Sequence, residues 1–315
     1  MIRDELSYQD RNQRYRNIIN ASLEEAMIRP EIPEVLGNAM RYSLMAGGKR
    51  IRPCLTIGVC DIMGGNRKMA IKLACGIEMI HTYSLIHDDL PCMDDDDLRR
   101  GQPTNHIMFG EGQAVLAGDG LLTYAFQYML EAGLSFNDAG YFRAVAEIAK
   151  RAGACGMVAG QSLDLLSEEQ GIKDENELYN IHSHKTADML IASILAGAYC
   201  SSTTDSQLKC LEAYGEKIGL LFQITDDIII INDEDVDLTI PIITSTDVAK
   251  KITNSCEEDS LIGIKGKINA DEKGGLASLA LGAIIHDKFM ELAEKNEKAY
   301  AFYPHSVFKK YGIHM

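Results

Sequence analysis

Tryptophan is absent from this 315-residue chain, proline occurs only seven times, and no two of the eight cysteines form a CxxC pair. The missing spacing removes a zinc-ribbon site and a dithiol redox motif. Scattered single cysteines (54, 60, 75, 92, 155, 200, 210 and 256) suit reduced thiols, several of them in a core, and point to a cytoplasmic protein. No Ser/His/Asp or Cys/His signature announces a nucleophile. Positive charge is scarce. The chain has 31 Lys and Arg against 46 Asp and Glu, a net charge of −15, which argues against a surface for nucleic-acid phosphates. Phosphorylated small molecules stay open, because divalent cations reverse the local sign. The first residues, "MIRDELSYQDRNQRYRN", are charged and lack the apolar run of a signal peptide. The longest apolar stretch, "ADMLIASILAGAYC" (187–200), is too short to span a bilayer.

Strand-like alternation is nearly missing too, and what stands in its place up to about residue 231 is helix after helix. Apolar residues recur three and four apart, which predicts helices over 4–28, 33–46, 52–63, 67–90, 112–132, 138–168, 175–201 and 205–231. Several are apolar around much of their circumference, as in "GQAVLAGDGLLTYAFQYML", the pattern of a helix with neighbours on more than one side. An all-α helical bundle follows, with sites built from side chains pointing inward from facing helices. Past residue 231 the texture turns polar, β-branched and glycine-punctuated. This divides the chain into a bundle, 1–231, and an atypical C-terminal segment, 232–315.

Charge is concentrated in a few places. "SLIHDDLPCMDDDDLRRG" (84–101) sets six aspartates and two arginines around one proline. Pro91 cannot continue the helix that ends at Asp88 and Asp89, and the bulge after it can bring Asp94 back toward Asp88. Converging carboxylates suit a hard divalent cation; magnesium fits best, held by few carboxylates and completed by water and phosphate oxygens. Arg99 and Arg100 follow at once, and their forks match phosphate oxygens. A solvated acidic loop is the alternative. "GGKRIRP" (47–53) places Lys49, Arg50 and Arg52 beside two glycines that permit close backbone approach; a basic helix cap would look the same. "FQITDD" (222–227) ends an apolar helix with two aspartates, where negative charge is unfavourable unless something positive compensates. Lys185 in "HKTADML" sits within an apolar helix, and by itself reads as a lysine reaching for water.

Taken in order, "GGKRIRP", "HTYSLIHDDLPCMDDDDLRRGQPTNH", "GMVAGQSLDLLSE", "HKTADML" and "FQITDD" resemble the motifs of trans-isoprenyl diphosphate synthases, most of all the bacterial farnesyl diphosphate synthase type. The resemblance covers roughly residues 1–230. It implies an isoprenoid-synthase-type bundle, normally a homodimer, that condenses isopentenyl diphosphate with an allylic diphosphate (dimethylallyl or geranyl). It also implies magnesium, three ions with substrate bound. By position, Asp88, Asp89 and Asp94 resemble the first metal motif, and Asp226 and Asp227 the second. Arg99, Lys185 and Thr186 correspond to the allylic diphosphate site, and Lys49, Arg50, Arg52, His81 and Arg100 to the isopentenyl diphosphate site. Phe222 and Gln223 correspond to the cavity lining near the reacting carbons. Asp88, Asp94, Arg99, Lys185 and Asp226 are the expected catalytic set.

Tyr83 lies five residues before Asp88, about 7.5 Å deeper along a helix. An aromatic ring there implies, by the resemblance, a fifteen-carbon product; geranylgeranyl diphosphate is the neighbouring alternative. After Asp227 the resemblance fails. Ile230 stands where a third aspartate is expected, and no lysine occupies the following loop. A divergent tail, a reading-frame shift or fusion, and a homologue that has become a non-catalytic partner subunit are the three accounts of that departure. The abruptness of the change favours the second.

Overall fold

The computed structural model describes residues 8–170, 180–181 and 183–232; for residues 8, 9, 168, 169 and 220–232 it describes the backbone alone. The expected atypical segment therefore lies, apart from Asn232, outside the described residues. The chain divides into two compact units, Met1–Ala149 with Ala196–Ser202, and Lys150–Leu195 with Thr203–Met315.

The first unit is built from α1 (Tyr8–Ala26), α2 (Glu34–Met45), α3 (Ile51–Ile62), α4 (Arg67–Asp88), the short α5 (Asn105–Phe109), α6 (Glu111–Phe136) and most of α7 (Ala139–Ala152). Helix α4 is its axis and packs against α1, α2, α3 and α6. Its sequence explains this: Leu73, Ala74, Ile77, Ile80 and Ile86 fall on several faces and all are buried. Asn66 starts α4 by accepting from the Lys68 amide at 3.1 Å. Helix α4 is long and apolar enough to cross a membrane, yet 72% of its apolar window is buried within the protein, which marks it as a core helix. Gly118 on α6 lets that helix close on α4, because a Cβ there would meet the His87 ring at 2.0 Å.

The second unit contains α8 (Met157–Gln170), a π-turn (Ser183–Ala187), the start of α9 (Asp188–Tyr199) and α10 (Asp205–Asn232). A capping box opens α10: the Thr204 amide donates to Gln207 Oε1 at 2.9 Å, and the Gln207 amide donates back to Thr204 Oγ1 at 3.3 Å. The π-turn packs against α8 and α10.

Three expectations change. The helix predicted over 138–168 is two helices, α7 and α8, broken at "GACG" (153–156). A Cβ at Gly156 would lie 2.0 Å from the Arg151 carbonyl oxygen. The helix predicted over 175–201 opens, in its described part, as a π-turn. Between α4 and α5 the chain forms a two-residue antiparallel hairpin, β1 (Leu98–Arg99) and β2 (Gln102–Pro103). Its central residues, Arg100 and Gly101, have φ of 54° and 74°, as a type I′ turn requires.

Candidate active site

The acidic stretch folds back on itself. Pro91 ends the helical ladder, the Met93 amide donates to Leu90 O at 2.8 Å, and the Asp94 amide donates to Asp88 O at 2.8 Å. The last bond returns Asp94 to Asp88, as the bulge led one to expect. Asp94 is exposed and Asp88 half-buried. Among the described residues no three His, Cys, Asp or Glu side chains form a metal cage by themselves. The pair fits magnesium nonetheless. It offers hard carboxylate oxygens only, and magnesium takes one or two carboxylates and fills its remaining positions with water and phosphate.

Asp89 has a different place. It is 4% exposed and accepts from Arg99 Nε at 2.5 Å, while Arg99 Nη2 donates to Asp96 at 2.9 Å. Burial pushes the Asp89 carboxyl above its ordinary range, and the Arg99 guanidinium opposes that shift. Asp89, grouped by sequence with the metal ligands, is thus the anchor that aims Arg99.

The basic loop meets the same hairpin. Gly47 and Gly48 have φ of 88° and 115°, and a Cβ at Gly48 would lie 2.6 Å from the Arg100 guanidinium carbon. Only glycine lets that guanidinium rest on the loop, where Arg100 Nη1 donates to Gly47 O. His81, on α4, stands within this gathering of charge. Its imidazole is held well below its ordinary pKa, first by burial and then by Arg52, Arg100, Arg50 and Arg99. A fold that collects four guanidinium groups around one histidine offers a seat to a polyanion. Lys49 is exposed and Arg52 half-buried.

Arg50 does not fit the role given to it. It is 3% exposed, in a left-handed conformation at the start of α3. Its three side-chain nitrogens donate to Glu78 at 2.5 Å, Asn20 at 3.1 Å and the Leu44 carbonyl at 2.7 Å. It is a structural ion pair locking α3 to α4, not a diphosphate ligand.

Tyr83 is 6% exposed and meets the His87 ring edge-on, with centroids 5.7 Å apart. Burial, then the Asp88 charge, pushes its hydroxyl up to about 12.

In the second unit, Lys185 lies on the π-turn and donates from Nζ to Asp164 Oδ2 at 2.5 Å; Thr186 beside it is buried. Sequence reasoning did not single out Asp164, although it lies in the "GMVAGQSLDLLSE" motif. An isolated acid on a helix signals nothing until its cation is found. Phe222, Gln223, Asp226 and Asp227 follow the helical backbone of α10, and their side chains lie outside the described residues.

An all-α chain whose aspartate-rich turn folds back on a helix end, with guanidinium groups gathered in the same unit, has the make-up of an isoprenoid synthase. The comparisons agree. The chain belongs to the polyprenyl synthetase family, whose sequence profile matches residues 33–240, and more narrowly to the trans-isoprenyl diphosphate synthases. It is 48% identical over 211 residues to a chloroplastic geranylgeranyl pyrophosphate synthase of Capsicum annuum, a match covering 67% of this chain and 57% of the relative. It is 49% identical over 216 residues to the large subunit 1 of a heterodimeric geranylgeranyl pyrophosphate synthase of Arabidopsis thaliana, covering 67% and 58%. The chain thus spans less than two thirds of the length of these relatives. Among solved structures it resembles an FPP/GFPP synthase of Zymomonas mobilis, with a TM-score of 0.67 and 32% identity over 85% of this chain and 96% of that one.

Proposed function

We propose that the protein is a prenyltransferase that condenses isopentenyl diphosphate with dimethylallyl or geranyl diphosphate to make farnesyl diphosphate. The observation that carries this reading is the crowding of Arg52, Arg99 and Arg100 about His81, close to the turn that returns Asp94 to Asp88. Lys49, Arg52, His81 and Arg100 bind isopentenyl diphosphate. Arg99, Lys185 and Thr186 bind the allylic diphosphate, with Asp89 and Asp164 aiming the two cations. Phe222 and Gln223 line the space around the reacting carbons. Asp88 and Asp94, and on α10 Asp226 and Asp227, would hold magnesium, which when bound would supply Lewis-acid stabilisation of the leaving diphosphate. The fixed cations stabilise the same developing charge, so no protein nucleophile is required.

Tyr83 favours the fifteen-carbon product, since a bulky buried ring on α4 five residues before Asp88 would act as a floor. The geranylgeranyl names of the plant relatives favour the twenty-carbon alternative. A weakened enzyme or a non-catalytic partner subunit is the remaining reading, favoured by Ile230 in the third-aspartate position. The protein acts as a homodimer in the cytoplasm. The dimer is supported by Leu116, Leu130 and Leu134, which expose 53%, 44% and 78% along α6. Radiolabelled isopentenyl diphosphate given to the full chain should enter product only with magnesium and an allylic primer. Intact diphosphate binding without incorporation would favour the partner subunit.

A further inference from the structure

The π-turn Ser183–Ala187 carries Lys185 and Thr186 and is the one stretch of π geometry among the described residues. A π-turn accommodates one residue more than an α-turn and tends to persist where the surroundings require it. Two glycines set those surroundings. A Cβ at Gly160 on α8 would lie 2.1 Å from the Lys185 amide nitrogen, and one at Gly219 on α10 would lie 2.2 Å from Ala187 Cβ.

A single carboxylate then ties the turn sideways. Asp188 is the first residue of α9, and its two oxygens are divided. Oδ1 accepts from Arg151 Nη1 at 2.6 Å, and Oδ2 faces His184 Nδ1 at 2.8 Å. The Asp188 and Arg151 side chains are 11% and 10% exposed. The other terminal nitrogen of Arg151 reaches Glu212 on α10. The end of α7, the π-turn, α9 and α10 therefore meet at this ion pair. Neither Asp188 nor Arg151 belongs to the substrate-binding set above. Asp188 bonds the residue immediately before Lys185, and so it governs the rotation of the segment on which the Lys185–Asp164 pair is made.

We propose that Asp188, clamped by Arg151, is a positioning residue that holds the π-turn so that Lys185 and Thr186 are presented to the allylic diphosphate; this rests on the function proposed above. The test compares wild type, Asp188→Ala and Asp188→Asn as full-length chains. Three quantities are read: affinity for inorganic diphosphate with magnesium, the KM for each substrate, and amide exchange by mass spectrometry. Asp188→Ala should weaken diphosphate binding and raise the allylic KM roughly tenfold to a hundredfold, with the isopentenyl KM little changed. Exchange should quicken around 183–188 and not in α4. Asp188→Asn should recover most of the loss, because its amide oxygen still accepts from Arg151 and its nitrogen donates to the other His184 tautomer. Unchanged diphosphate affinity and allylic KM in a folded Asp188→Ala would overturn the proposal, as would an equal rise in both KM values with exchange quickened throughout. If the wild type binds no diphosphate, the functional reading falls instead, and the exchange pattern alone still decides whether Asp188 holds the turn.

Discussion

Replacing Tyr83 by alanine should lengthen the product by one prenyl unit. The ring is buried on α4 and braced edge-on by His87. It lies about 7.5 Å from Asp88 along the helix axis, and one prenyl unit adds roughly 5 Å of extended chain. Under the proposed function, removing the ring should open depth for one further condensation, with Ile80 and Met79 one turn earlier on α4 still in place. The loss costs about 3–5 kcal/mol of stability, so the assay belongs well below the unfolding midpoint. Tyr83→Phe is the control: it keeps the floor and should keep the fifteen-carbon product. With its hydroxyl pushed up to about 12, Tyr83 is neutral at any working pH, and bulk alone is being tested. Labelled products are dephosphorylated and separated by chain length. A folded, active Tyr83→Ala that still stops at fifteen carbons refutes the reasoning, and so does a wild type that makes twenty with the ring in place.

Other outcomes follow from the same geometry. Arg50→Met should lower stability by about 3–5 kcal/mol, because Glu78 is left buried without its cation, while Arg52→Met should leave thermal unfolding nearly unchanged and raise the isopentenyl KM. An Arg50→Met that unfolds like wild type and raises the isopentenyl KM would count against the buried pair. His81 is depressed in the folded chain and titrates near 6.5 when unfolded, so below about pH 6.5 the unfolded chain binds a proton the folded one does not. Stability should be level above that pH and fall below it, less so in His81→Asn. A bound diphosphate offsets the surrounding arginines, so isopentenyl diphosphate should bind with proton uptake near pH 6; calorimetry in buffers of differing ionisation enthalpy reads this, and zero uptake counts against the site. If the proposed homodimer forms through α6, wild type should sediment as a dimer and Leu116→Glu with Leu134→Glu as a monomer; a monomeric wild type would remove the proposed dimer, and a persisting dimer the α6 interface.

Helix positions were readable from periodicity because each helix buries a face, and α4, α6 and α10 begin or end within a few residues of expectation. Two features escaped for physical reasons. One extra residue in a helical turn does not disturb a 3.6-residue pattern enough to be seen, so periodicity alone predicts helix across the π-turn. The roles within "GGKRIRP" depend on backbone handedness: the left-handed turn at Arg50 sends that side chain inward to Glu78, and counting cations cannot distinguish it from Arg52. Asp89 and Asp94 looked equivalent for the same reason, until the bond to Arg99 separated them. The return of Asp94 to Asp88 was readable, since Pro91 leaves the chain little choice.

The proposed function requires that the carboxylates of the first aspartate motif and those of the second act on one magnesium–diphosphate. A double-mutant cycle with Asp88→Asn and Asp226→Asn tests it, reading affinity for inorganic diphosphate at fixed magnesium. Shared coordination predicts a large loss in either single variant and little further loss in the double, a coupling of about 1–3 kcal/mol. Losses that simply add would mean that the two motifs do not act on a common magnesium–diphosphate, and the account would fail.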